Sequence, residues 1–294
     1  MTKIITRIKG GLGNQLFCYA AARRLAFVND CDFAIDDKAG FKRDKKYNRK
    51  YALDHFSIPI RKATPFERLE PFERYRRGLK KIISRHRSYN QRDYIEQEGD
   101  DFDSRLLTVK PRGTLYLDGY WQSEQYFKDI EPIIRKDLSI IPPDDETNVA
   151  LACQIQNSLA VAVHVRFFDN PLNNSITNAS SEYYEKAILK INSFYPEAHF
   201  FIFSDQPVAA RRLVLLPDNR VTLVSHNLGD DSAYADLWLM AQCQHFIIAN
   251  STFSWWGAWL ASHAHKQIIA PGFVRDGIMS WGFKGLLPES WIKI

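Results

Sequence analysis

In the second half of the chain, polar side chains follow apolar runs at regular intervals. His164 and Arg166 close the run at residues 159–163, and Ser204 and Asp205 close the run at 200–203. Ser225 and His226 follow residues 221–224, and Asn250, Ser251 and Thr252 follow residues 246–249. An arginine at a strand end suits a diphosphate, because its planar fork makes bidentate, charge-assisted hydrogen bonds. His164 can bond a nucleotide or position Arg166, and as a lone residue it equally fits a satisfied core histidine. Asp169 could accept a proton or order its loop. Asp205 suits a ribose or a base edge, or else the cap of the helix that follows. Near the N-terminus, Gly10-Gly11-Leu12-Gly13-Asn14-Gln15 offers a backbone that turns tightly and points helix amides at an anion. Gly11 and Gly13 stand where a dinucleotide fingerprint has glycines, but Leu16 occupies the third glycine position, so a plain strand-to-helix turn also accounts for the loop.

Such residues need elements to hold them. An apolar strand at residues 4–8, the glycine loop, a helix over about 14–28 and a strand at 32–35 form a β-loop-α-β unit. Residues 41–92 read as polar, basic and irregular. A strand at 114–117 leads into Gly119, Tyr120 and Trp121, and residues 141–148, with two prolines and three acids, read as a linker. Beyond it, strands at 159–163, 200–203, 221–224, 246–249 and 267–270 alternate with helices near 181–194, 208–213, 232–243 and 253–263. That alternation implies right-handed crossovers and a parallel sheet, and in an open α/β sheet ligands bind outside the carboxyl ends of the strands. The expected organisation is two domains, residues 1–148 and 149–294.

Composition narrows the class. The 294 residues are 45% hydrophobic and 25% charged, an ordinary globular balance with room for two domains of about 100–200 residues. A net charge of +5 favours anionic partners such as nucleotides or a lipid surface, and no nucleic-acid signature accompanies it. Cys18, Cys31, Cys153 and Cys243 have no CxxC spacing and sit in apolar stretches, so buried free thiols and a reducing compartment are expected. No secretory leader and no run of about 18 apolar residues appears, which points to the cytoplasm. Asp101-Phe102-Asp103 is a DxD triplet but follows no apolar strand, and His263-Ala264-His265 fits a solvated helix end; no metal is expected at either.

The blocks GGLGNQLF (10–17), DGYWQS (118–123), His164 to Asp169 and IIANSTFSWWGAW (247–259) occur in this order and reach across nearly the whole chain. Together they resemble the signature segments of the alpha-1,2-fucosyltransferases. That resemblance implies an α/β fold of GT-B type, two Rossmann-like domains facing a cleft, with the acceptor on the N-terminal domain and the GDP-sugar on the C-terminal one. It implies that His164 and Arg166 contact the nucleotide and diphosphate, and that Ser251, Thr252 and Ser254 form a hydroxyl-rich phosphate loop. Asp205 and Asp236 match acidic positions that accept hydrogen bonds from guanine or ribose, and Asn14 lies near the reaction centre. One departure is evident: the family segment reads His-x-Arg-Arg-Gly-Asp, whereas Phe167 and Phe168 replace the second arginine and the glycine here.

The implied reaction is inverting transfer of fucose from GDP-fucose to the 2-hydroxyl of a galactoside in a bacterial surface glycan, whether free or lipid-linked. No metal or other cofactor is expected. Arg166, backbone amides and the Ser/Thr loop would then stabilise the leaving diphosphate, with Asp169 as first choice of base. Another GDP-sugar, a nicotinamide oxidoreductase and a non-catalytic binding module stand as alternatives. Residues 72–92 carry eight Lys or Arg with Leu79, Ile82 and Ile83 as an apolar stripe. A solvated surface helix is the plain reading, and weak peripheral membrane attachment is the more consequential one.

Overall fold

A computed structural model describes residues 2–45, 47–168, 178–272 and 281–294. The chain divides into two compact units, Met1–Ser139 with Lys284–Leu286, and Ile140–Phe283 with Leu287–Ile294. Every strand pairing among the described residues is parallel.

The first unit contains β1 (Lys3–Arg7), α1 (Leu12–Val28), β2 (Asp32–Asp36), β3 (Arg61–Lys62), α2 (Glu73–Arg85), β4 (Tyr94–Glu96), β5 (Thr114–Asp118) and α3 (Glu131–Asp137). The strands order as β3-β2-β1-β5-β4. Leu12, Leu16, Phe17, Cys18, Tyr19 and Leu25 of α1 are buried, so this helix is part of the core rather than a surface cover. Gly10 takes φ +77°, the left-handed region, and this lets the chain swing from β1 into α1.

The second unit contains α4 (Glu146–Gln156), β6 (Ala160–Val165), α5 (Ser181–Phe194), β7 (His199–Ser204), α6 (Pro207–Leu213), β8 (Val221–Val224), α7 (Ala233–Gln242), β9 (His245–Ile247), α8 (Thr252–Leu260), β10 (Ile268–Ala270) and β11 (Ile292–Lys293). Its sheet runs β11-β10-β9-β6-β7-β8. Counted along the chain within the unit, that is the strand order 3-2-1-4-5-6 of a Rossmann domain read from the β8 edge. Every residue of β6 is buried, and Val161, Val163, Phe200, Ile202, Ile247 and Ile269 pack one core with Tyr184 and Ile188 of α5.

The structure revises several expectations. The last residues of the expected linker fold into α4, whose first turn is capped by the Asp145 carboxylate accepting from the Asn148 amide. The "irregular" stretch holds β3 and α2. Of the four free thiols, Cys18 and Cys243 are buried, but Cys153 is exposed and Cys31 half-buried. The apolar surroundings of Cys153 in sequence belong to the opposite face of α4, where Ala152 and Ile155 are buried.

Candidate functional site

In a Rossmann sheet the ligand crevice opens where strand order reverses, and in the second unit that point lies between β6 and β9. His164 occupies the penultimate position of β6 and is 5% exposed. Its ring packs against Phe253 in the first turn of α8, with centroids 5.4 Å apart. Nδ1 is buried without a hydrogen-bond partner. Burial, assisted by the charge of Arg166, pushes the imidazole down to about 3, so His164 is neutral at physiological pH and cannot serve there as an acid. The backbone holding it is fixed from behind, since the Tyr184 hydroxyl donates to the His164 carbonyl (3.1 Å).

Arg166 is the first residue beyond β6, and its Nη1 lies 3.2 Å from Oδ2 of Asp205, the first residue beyond β7. The other Asp205 oxygen accepts the Phe167 amide (3.1 Å). Asp205 therefore orients the arginine and its loop. It does not cap α6, whose N-cap is Gln206, and Ser204 Oγ instead accepts the Gln206 amide (3.0 Å). The Arg166 guanidinium also lies 5.5 Å from the centroid of the Phe168 ring, so one of the two aromatics that replace the family's Arg-Gly supports the remaining cation. On the other side of β6, Asn250 and Ser251 follow β9. Ser251 Oγ accepts the Phe253 amide as the cap of α8, and Ser254 Oγ, fully buried, donates to the Ser251 carbonyl. Thr252 opens the helix. The hydroxyls of Ser251 and Ser254 are thus engaged in building the helix start. Asp169 lies outside the described residues.

Asp236 belongs to a second cluster. It sits in the first turn of α7 and accepts from Asn227 Nδ2 (2.8 Å). Asn227 exchanges hydrogen bonds with Asn148 (2.9 Å each way), Asn148 meets His226 Nε2 (3.0 Å), and Asp145 accepts from Asn148 Nδ2 (2.7 Å). Burial raises the Asp236 carboxyl to about 7, only partly offset by the Asn227 bond, so it is poised between neutral and charged near neutral pH. His226 and Asn227 of this cluster follow β8, which is two places from β6 in the sheet. His226 was read only as one of the polar residues at a strand end, and Asn148 and Asn227 escaped the sequence reading, for the three become neighbours only when α4 and the β8 end fold together.

In the first unit, β1 and β5 lie side by side in the middle of the sheet. The glycine loop follows one strand and Gly119 to Gln122 follow the other. Gln122 Nε2 donates to Asn14 Oδ1 (2.7 Å), joining two of the signature blocks. Gly11 is the N-cap of α1, and Gly13 lies buried inside its first turn. The turn after β5 is held in an unusual shape. Trp121, fully buried, has φ +55°, and the amides of Tyr120 and Trp121 both donate to Gln97 Oε1 (2.7 and 2.9 Å). A left-handed tryptophan costs energy that this double acceptance offsets. Gln97 was not foreseen, because nothing in its local sequence marks it. Asp118 at the end of β5 takes Lys9 (2.8 Å), Arg7 (3.0 Å) and the Tyr94 hydroxyl (2.7 Å). Burial alone would raise its carboxyl, but the two cations outweigh that and hold it well below the usual carboxylate range.

The DxD triplet has structural duties. Asp101 Oδ1 accepts the Lys284 amide (2.9 Å), and Asp103 caps a short 3-10 turn and pairs with Arg105 (2.7 Å). Among the described residues no group of three or more His, Cys, Asp or Glu could hold a metal ion, and no helix is long and apolar enough to cross a membrane.

Comparison with known proteins agrees with this architecture. The family model for glycosyl transferase family 11 matches residues 3–293. An alpha-1,2-colitosyltransferase of Escherichia coli is 25% identical over 100% of this chain and 99% of its own. The galactoside 2-alpha-L-fucosyltransferase Sec1 of Mus musculus is 24% identical over 86% of this chain and 63% of its own. The crystal structure of fucosyltransferase NodZ from Bradyrhizobium superposes with a TM-score of 0.53 at 16% identity, covering 88% of this chain and 93% of that one. The likeness to that structure is one of fold: α/β, two Rossmann-like units, GT-B type.

Proposed function

The chain belongs to glycosyl transferase family 11, and we propose that within it the protein transfers L-fucose from GDP-fucose to the 2-hydroxyl of a galactoside, inverting the anomeric centre. The observation that carries this reading is the pairing of Arg166 with Asp205 at the β6–β7 rim, beside a neutral, buried His164. An oriented guanidinium is what a leaving diphosphate needs. The Asp236 cluster beyond β8 supplies a carboxylate with amide neighbours suited to guanine N1–H and N2–H. Ser251, Thr252 and Ser254 stand at the start of α8, where helix amides beyond the one that Ser251 caps are suited to phosphate oxygens.

In the proposed step the acceptor oxygen forms a bond to fucose C1 as the bond from C1 to the β-phosphate oxygen breaks. The electron pair leaves with GDP, and the acceptor proton passes to a base or solvent. Arg166 meets negative charge that grows as this bond breaks. Asn14, held by Gln122 in the first unit, is assigned to the acceptor side with Gly11 and Gly13 shaping its loop. The acceptor is a galactoside-containing surface glycan, lipid-linked while it is assembled.

The name of the Escherichia coli relative favours one further donor, GDP-colitose, a 3-deoxy counterpart of GDP-fucose. Mass spectrometry of products formed from GDP-fucose, GDP-colitose, GDP-mannose and UDP-galactose with β-galactoside acceptors separates the readings. A deoxyhexosyl adduct from GDP-fucose is expected; an adduct from GDP-colitose alone would replace the donor, and none from any GDP-sugar would remove the function.

Metal independence is also proposed, because a cation already stands at the rim and both acids of the DxD triplet are engaged elsewhere. Turnover is expected to be unchanged in EDTA. Activity lost to the chelator and restored by Mn²⁺ or Mg²⁺ would contradict it.

A further inference from the structure

Helix α2 is amphipathic in the wrong sense for a soluble surface. Its apolar residues recur at Phe72, Tyr75, Leu79, Ile82 and Ile83, spacings of three, four, three and one that fall on a single stripe of a helix with about 3.6 residues per turn. A helix packed on a globular unit buries such a stripe. Here the stripe faces outward: Phe72 is 71% exposed, Tyr75 74%, Leu79 60%, Ile82 59% and Ile83 43%, and Phe66, just before the helix, is 75% exposed. Ser84 is the one residue of α2 that is buried. The inward face is polar. Arg77 pairs with Asp36 (2.9 Å), Lys80 with Asp93 (3.4 Å) and Lys81 with Glu96, while Ser84 donates to Asp93 and accepts the Tyr94 amide (3.0 Å).

These ion pairs decide which side of the helix faces in, and they leave an apolar strip with nothing of its own unit to cover it. Arginines border the strip. Arg76 sits over the Phe66 ring (5.8 Å to the centroid), and Arg74 is exposed. Arg85 and Arg87 keep 61% and 45% of their side chains exposed despite pairing with Glu96 and Asp93. Residues 72–92 hold eight Lys or Arg and one acid, Glu73; Arg77, Lys80, Lys81, Arg85, Arg87 and Arg92 pair with acids on neighbouring segments, which leaves Arg74 and the exposed flanks of Arg85 and Arg87 as the cationic rim.

We propose that this face of α2, with Phe66 and Phe72, is a membrane-docking surface for an anionic bilayer. The aromatic and aliphatic side chains enter the acyl boundary, and the bordering arginines reach up to the phosphate layer. Charge selects this occupant. A second copy using the same patch would bring arginine rims face to face across a two-fold axis, which opposes association. A neutral apolar partner would leave the rim unused. The inference goes beyond the transferase reading and does not rest on which donor is used. Its consequence for the enzyme is that the first unit works at the lipid surface where membrane-borne acceptors lie.

The test is co-sedimentation of the full chain with vesicles of phosphatidylcholine alone or mixed with phosphatidylglycerol. Binding to the mixed vesicles is expected at low salt, with little to phosphatidylcholine and a marked loss at high salt. The double substitution Leu79→Gln/Ile82→Gln should weaken binding by roughly tenfold or more. Because both side chains point into solvent, Tm and turnover on a soluble acceptor should stay unchanged. Failure to bind anionic vesicles at low salt would overturn the proposal. So would equal binding by the double variant, or concentration-dependent self-association that the same substitutions abolish, which would assign the patch to a second copy.

Discussion

Arg166→Ala is expected to lower kcat for transfer by roughly a hundred-fold or more while weakening GDP-fucose binding far less. The guanidinium is held at the end of β6 by Asp205 and lies beside the Phe168 ring, so it is already oriented before the donor arrives. In the proposed step the charge it would meet on the diphosphate is greatest in the transition state, and an interaction of that kind appears in kcat more than in KM. Phe167 and Phe168 stand where a second cation and a glycine occur in the family pattern, which leaves Arg166 without a neighbouring substitute. Arg166→Lys should recover little, since an ammonium cannot contact two oxygens with a planar fork. Asp205→Asn is the informative companion. It keeps the acceptor for the Phe167 amide but releases the arginine, so it should lower kcat by less than Arg166→Ala and leave the melting temperature unchanged. Kinetics on both variants, with GDP affinity by calorimetry as a folding control, decide the assignment. A near-normal kcat for Arg166→Ala would pass the diphosphate to the start of α8.

Asp236→Ala is expected to weaken GDP-fucose binding by about a hundred-fold, the loss of two hydrogen bonds to a charged acceptor. The wild type carries a proton signature of the same contact. The Asp236 carboxyl is raised to about 7 by burial, and in the proposed contact guanine N1–H and N2–H would bond to its charged form. Donor binding therefore favours the carboxylate and expels a proton. Affinity should fall as pH drops below about 7, approaching tenfold per unit, and the heat of binding should vary with the ionisation enthalpy of the buffer. GDP-fucose is the right probe, because both ends of its diphosphate are esterified and it adds no titration of its own there. Asp236→Asn should abolish the pH dependence. The group also bears on folding: its proton is held more tightly in the folded chain, so its stabilising contribution is complete below the ordinary carboxyl value of 3.8 and is lost as pH rises through about 7. A pH-independent affinity in the wild type would remove Asp236 from the guanine contact.

How much of this was legible beforehand follows from what a sequence pattern can encode. The β6 run Ala160–Val165 reads as a buried parallel strand because it is apolar almost throughout, and that placed His164 and Arg166 at a sheet end. The α8 start was legible from Ser251 and the tryptophans behind it. β3, β4 and β11 were not: β3 and β11 are two residues long, and β4, Tyr94–Glu96, lacks the apolar run that revealed the equally short β9 and β10. The Arg166–Asp205 pair joins residues on neighbouring strands whose register the sequence does not state. The Asp236 cluster needs Asp145 and Asn148, which the sequence presents as part of a linker. For α2 the stripe was visible, but its direction was not, since Asp36, Asp93 and Glu96 turn the polar face inward.

The central claim is a bond: fucose C1 joined to O2 of a galactose. The most direct test is two-dimensional NMR of the product formed from GDP-fucose and a simple β-galactoside in the presence of EDTA. An α-fucosyl anomeric proton with a through-bond correlation to galactose C2 is expected. A correlation to any other galactose carbon, a β-fucosyl product, or no product with this donor would contradict it.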